Sequence, residues 1–254
     1  MTLACKTAIL ERDVAHLIIT DEVQVEPVGD VEASGPAGRM GAREILPPAH
    51  SLDEALTALH NADRPIVVVG NGARGQMDPI IGLAERLNAP VLTTFKAKGL
   101  VSDLHPLGAG VLGRSGTPVA SWFMNESDLI LAFGASFSNH TGIADYKPLI
   151  QVDSDASALG RFHPVTVAEQ GHVGATAQLL RERCRDDLST VGQRLEVASR
   201  WALRRDEKAN RALDTSEEGI SAAAVFEAMN RQIDENAAIC VDVGNNTYSF
   251  GRYF

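Results

Sequence analysis

Along the chain, the first signal is a set of short apolar runs separated by amphipathic stretches. "IVVVG" (66 to 70), "APVLTTF" (89 to 95), "DLILAFG" (128 to 134) and "LIQVD" (149 to 153) are nearly free of polar interruptions and too short for helices. That is the pattern of strands in a parallel sheet buried on both faces. Helical periodicity fills roughly 76–88 and 117–125, and "GATAQLLRERC" sets Leu179, Leu180 and Arg183 at amphipathic spacing. The alternation predicts an α/β doubly wound parallel sheet with flanking helices, Rossmann-like, over residues 50–185. Ahead of it, Ser51 and Glu54 make an S-x-x-E pattern. This predicts a capping box, in which hydroxyl and carboxylate satisfy free N–H groups of the first turn.

Outside that region the pattern changes. Residues 3–12 read as a helix and "VAHLII" (14 to 19) as a strand, followed by some thirty residues rich in Gly, Pro and charge that read as a linker. Residues 186–213 carry dense mixed charge, with Leu195, Ala198, Trp201, Ala202 and Leu213 at helical intervals, which predicts a solvated helical connector. A helix at "SAAAVFEAMNRQI", a strand at "AAICVDVG" and a helix start at "NNTYSFGRYF" follow. One strand cannot form a sheet alone, so these last residues read as the opening of another domain.

Composition narrows the function classes. With 254 residues, 44% of them hydrophobic, the chain can bury a sizeable core. A net charge of -10 disfavours nucleic acid as a partner. No run approaches the roughly 18 apolar residues of a membrane span, and no basic-then-apolar leader opens the chain, so a cytoplasmic protein without a membrane span is expected. The three cysteines (Cys5, Cys184, Cys240) lack a C-x-x-C and the seven histidines are scattered singly, so no metal site is assigned.

The candidate chemistry lies at strand ends. Gly70, Gly72 and Gly75 form G-x-G-x-x-G between a strand and a helix. Such glycines either admit a dinucleotide pyrophosphate to the backbone or simply let the chain turn tightly. An NAD site ends its next strand in an Asp or Glu about twenty residues on. Here "VLTTFKAKG" offers Thr93, Thr94, Lys96 and Lys98 instead. Lysines at a carboxyl strand end suit phosphate or another anion, or are merely exposed. After the later strands, Gly134, Ala135 and Ser136 leave room for a ligand beside backbone amides. Asp153 either accepts from a ribose or an adenine amine or serves as a turn residue. The glycine-rich "HPLGAGVLGRSGTP" (105 to 118) is long enough to wrap an extended ligand.

Taken together, "VVVGNGARG", "PVLTTFKAKGLVSDLHPLGAGVLGRSGTP", "SDLILAFGASFSNHTG", "LIQVDSDASALGR" and "AICVDVGNNTYSFGRYF" resemble the thiamine-diphosphate-dependent enzymes of the pyruvate oxidase and acetolactate synthase type. The resemblance implies the tail of a pyrimidine-binding domain at 1–25, a linker at 26–49, the central domain at 50–185, a helical linker at 186–216 and the start of a pyrophosphate-binding domain at 217–254. It also implies a homo-oligomer, dimer or tetramer. In such enzymes the central domain binds FAD, ADP or nothing. For FAD, the resemblance makes Gly70, Asn71, Gly72, Ala73, Thr94, Lys96, Gly134, Ser136, Phe137 and Asp153 the candidate contacts. The family's usual Gly-Asp after the last central strand is Gly171-His172 here. Its catalytic glutamate would lie upstream of these residues and its magnesium-binding G-D-G…N downstream, so no catalytic residue is assigned, and thiamine diphosphate and magnesium are expected only in a full-length parent.

Three readings follow. The first is a central, FAD-binding domain of an enzyme acting on pyruvate or another 2-keto acid, without catalysis on its own. The second is a cofactor-free structural and subunit-contact domain, and the third a free-standing nucleotide-dependent oxidoreductase.

Overall fold

The computed structural model describes residues 2–11, 13–32, 34–41, 44–185, 190–213, 219–234 and 236–254. They form two units, residues 1–44 and 45–254. The first holds helix α1 (Thr2–Glu11) and the single turn α2 (Asp21–Gln24), neither with a buried residue. The strand expected at 14–19 is absent: no described strand pairs with these residues, and Val14 is 90% exposed. An extended segment without a neighbour has no ladder to satisfy its N–H and C=O groups.

The second unit runs α3 (Ala49–His60), β1 (Pro65–Val69), α4 (Met77–Leu87), β2 (Val91–Thr93), β3 (Gly108–Val111), α5 (Pro118–Glu126), β4 (Leu129–Phe133), β5 (Leu149–Asp153), β6 (Val167–Gln170), α6 (Val173–Arg183), α7 (Arg194–Ala212), α8 (Ala222–Gln232) and α9 (Asn245–Tyr253). The six strands are all parallel in the order β3-β2-β1-β4-β5-β6, a doubly wound sheet whose winding reverses between β1 and β4. Strand alternation explains why it needs helices on both faces. Val67 and Val69 join a core with α3, α4 and α6, whereas Ile66 and Val68 join one with α5 and α7.

Four strands coincide with the apolar runs, and two do not. β3 is "GAGV", inside the segment expected to wrap a ligand, and pairs with β2 through a register shift at Val91/Leu92. β6 is the edge strand "VAEQ", buried and exposed by turns. Neither has a continuous apolar run to betray it.

Helix ends bring one correction. The capping box does not form: α3 starts at Ala49, with Pro48 as its N-cap, so Ser51 lies inside the first turn. Its hydroxyl donates to the Pro48 carbonyl (3.1 Å) and sits 2.8 Å from Glu169 Oε2. By contrast, Thr117 caps α5 by accepting from the Ala120 N–H, and Asn88 closes α4 in the left-handed conformation.

The expected solvated connector is also corrected, because α7 is docked on the sheet. Val197 is buried, Gln193 Nε2 donates to the Pro65 carbonyl and Trp201 Nε1 to the Gly108 carbonyl (2.7 Å). Glu196 accepts from Trp122 Nε1 (2.7 Å) and Arg64 (2.6 Å). Surface charge on the other face of the helix disguised this contact. Farther on, "AAICVDVG" forms no strand, Val243 being 95% exposed. Instead, α8 and α9 meet through Phe226, Phe250 and Phe254, the last two rings stacked at 4.8 Å.

Candidate functional site

Every strand of a parallel sheet releases its following loop at the same edge, so five loops of this sheet converge there. They line a cleft of about 540 Å3: Gly70–Gly72 after β1, Thr94–Lys96 after β2, Leu112 and Ser115 after β3, Gly134 to Thr141 after β4, and Asp153 to Ala158 after β5. The cleft lies at the β1/β4 reversal, where open α/β sheets take their ligands. Its volume is in the range of small-molecule sites.

Of the candidate contacts, Gly70, Asn71, Gly72, Thr94, Lys96, Gly134, Ser136, Phe137 and Asp153 line the cleft together. Ala73 does not: it is fully buried in the core beside α4, its N–H donating to the Gly70 carbonyl.

The glycine loop has a packing role of its own. Gly72 N–H donates to the Gly134 carbonyl (3.0 Å), and a Cβ on Gly72 would lie 2.9 Å from Gly134 Cα. Gly134, at φ +59°, is equally confined: a Cβ there would stand 2.5 Å from the Ala73 amide nitrogen. The third glycine, Gly75, has open space around it and is needed only for its φ of +77°. The motif is thus a seam between two neighbouring loops, and that seam forms the cleft wall.

A lysine and two carboxylates of the cleft lie apart, Lys96 following β2 and Asp153 and Asp155 at the end of β5 and beyond it. Lys96 is exposed and makes no hydrogen bond or ion pair with a described residue. Asp153 lies half-buried as the last residue of β5. Burial pushes its carboxyl above the usual range, against the pull of the Asp155 N–H that donates to it (3.0 Å). The Asp155 carboxylate is held low by the hydroxyl and amide of Ser157, both at 2.8 Å. Phe137 adopts φ +48° while 4% exposed, an uncommon conformation for a side chain of its bulk.

Sequence reading missed Gln151. This buried amide donates to the Ala135 carbonyl (2.9 Å) and the Ala158 carbonyl (3.0 Å), and accepts from the Gly160 N–H (2.8 Å). It ties the β4 and β5 loops together beneath the cleft. The signal was present, a lone glutamine inside an apolar strand, since a buried amide must find partners for all its groups. Gly171-His172, where the resemblance expects Gly-Asp, serves α6 instead: His172 Nδ1 accepts from the Ala175 N–H.

Among the described residues, no group of His, Cys, Asp and Glu is arranged to hold a metal ion, and no helix is long and apolar enough to cross a membrane.

Residues 52–180 match the family model described as thiamine pyrophosphate enzyme, central domain. The chain is 29% identical to the "Putative thiamine pyrophosphate-containing protein YdaP" of Bacillus subtilis, over 99% of this chain and 43% of that protein. It is 32% identical to a sulfoacetaldehyde acetyltransferase of Rhodobacter capsulatus over 61% of this chain and 29% of that one. To the "Putative acetolactate synthase large subunit IlvB2" of Mycobacterium tuberculosis it is 30% identical, covering 82% and 39%. The chain therefore spans less than half the length of these curated relatives.

Proposed function

The chain belongs to the thiamine pyrophosphate enzymes, whose central domain its residues 52–180 match, and from that membership we propose that residues 50–185 bind the ADP portion of FAD within an enzyme acting on pyruvate or another 2-keto acid. The observation that carries this reading is the convergence of five strand-end loops on one cleft with Lys96 and Asp153 on separate loops. A lysine suits a pyrophosphate, and a carboxylate suits ribose hydroxyls or an adenine amine. Small residues at Gly70, Gly72, Gly134 and Ser136 keep backbone amides accessible to such a ligand. Thiamine diphosphate and magnesium would supply the carbon–carbon chemistry in an assembly that includes the family's flanking domains, in which these residues hold the nucleotide and position the neighbouring domains. We further propose the division 1–25, 26–49, 50–185, 186–216 and 217–254, and a homo-oligomeric parent.

The test is flavin retention. Incubation with FAD followed by gel filtration should leave a flavin absorbance band on the protein peak, weakened about tenfold in affinity by Lys96→Glu. A band that is absent, with ADP also failing to protect against thermal unfolding, rejects nucleotide binding.

One observation favours a second reading, a cofactor-free structural and subunit-contact domain. The Gly72–Gly134 seam accounts for the glycine motif without any ligand. The same experiment separates the two.

A further inference from the structure

The β3–α5 loop that gives Leu112 and Ser115 to the cleft gives Gly113, Gly116 and Thr117 to a second cavity of about 360 Å3. Its other walls are Arg204, Glu207 and Arg211 of α7 and Arg252 and Tyr253 of α9. Three guanidinium groups thus face one carboxylate. Glu207 already takes Arg204 (2.8 Å) and Arg211 (2.7 Å), which leaves an excess of two positive charges among the described lining residues.

Arg204 is the informative member. Its side chain is 4% exposed, and it donates through one terminal nitrogen to Glu207 and through the other to the Arg252 carbonyl (2.7 Å). Its Nε is buried without an acceptor among the described residues. The charge of this buried guanidinium, which lines the cavity, adds to a positive potential that favours an anion there. The nine-residue helix α5 begins at the cavity, which is lined by its N-cap Thr117 and by Pro118 and Ser121 of its first turn, so the positive end of its dipole adds to that potential. Ser121 brings a hydroxyl, and Gly113 and Gly116 bring no side chain to fill the space.

We propose that this cavity is a binding site for a phosphate-bearing anion, held by Arg204 and Arg252 at the N-terminus of α5 and separate from the cleft. Planar guanidinium forks and a helix N-terminus match a tetrahedral oxyanion. Arg252 also donates to the Arg114 carbonyl (3.2 Å) within the loop common to both cavities.

The probe is inorganic phosphate, titrated calorimetrically into the 254-residue chain at constant ionic strength. Expected is a saturable phase of binding weakened about tenfold or more by Arg252→Gln and by Ser121→Asp, which sets a carboxylate on the wall. Both positions are exposed, and an unchanged circular dichroism spectrum will show that the variants are folded. Lys96→Gln, in the cleft, should leave this binding intact. Absence of saturable binding, an affinity unchanged by both cavity substitutions, or loss through Lys96→Gln instead would each overturn the proposal. Nucleotide binding in the cleft is read separately by flavin retention, so either conclusion can fail without the other.

Discussion

Gly70 and Gly134 meet back to back at the ends of adjoining strands: a Cβ on Gly70 would lie 2.1 Å from the Gly134 carbonyl oxygen. Backbone on both sides leaves nothing that can swing away. Gly70→Ala should therefore cost upwards of roughly 2 kcal/mol, and Gly72→Val should also lose folding rather than ligand alone. Gly75→Ala, strained only in φ, should cost about 1 kcal/mol and keep the cleft. Urea unfolding of the three variants checks the order; equal losses would contradict the seam.

Gln151→Leu keeps the volume but strands two carbonyls and one N–H that now share its amide. The expected loss is roughly 3 kcal/mol or more, since each buried group left unpaired costs about 1–3 kcal/mol. Hydrogen exchange should rise in residues 134–141 and 153–160, ahead of the rest of the sheet.

Glu169 is buried beside Ser51, and burial raises its carboxyl above the usual range, against the pull of the Ser51 hydroxyl. Ser51 has one proton for two neighbours, Pro48 O and Glu169. With the folded value above the unfolded one, stability is complete below about pH 4.3 and falls as pH rises through the folded value. Glu169→Gln should therefore raise the melting temperature at neutral pH and lose that advantage in mild acid. A constant difference across pH would refute the assignment.

Glu196 behaves oppositely. Burial works against its charge, but hydrogen bonds from Arg64 and Trp122 outweigh it and hold the carboxyl below the usual range. Its contribution is present above the ordinary glutamate value and is lost as pH falls through the lower folded value. Glu196→Gln should lower the melting temperature at neutral pH, with the difference closing in acid. Trp122 fluorescence offers a second readout of α7 loosening.

The sequence by itself determined the class of fold and the edge on which the cleft lies. Continuous apolar runs such as "IVVVG" and "LILAF" can be satisfied only between two helical layers, and parallel strands send their glycine loops to one side. Tertiary structure decided what depends on partners distant in the chain. β3 and β6 became strands because β2 and β5 offered them edges, while "VAHLII" and "AAICVDVG", though better strand formers, found none among the described residues. Ser51 exchanged a local cap for Glu169, 118 residues away. Gly72 is confined by Gly134, and Arg204 is enclosed by α9, because burial and hydrogen bonding are settled by whichever groups the finished fold brings alongside, and local spacing carries no record of them.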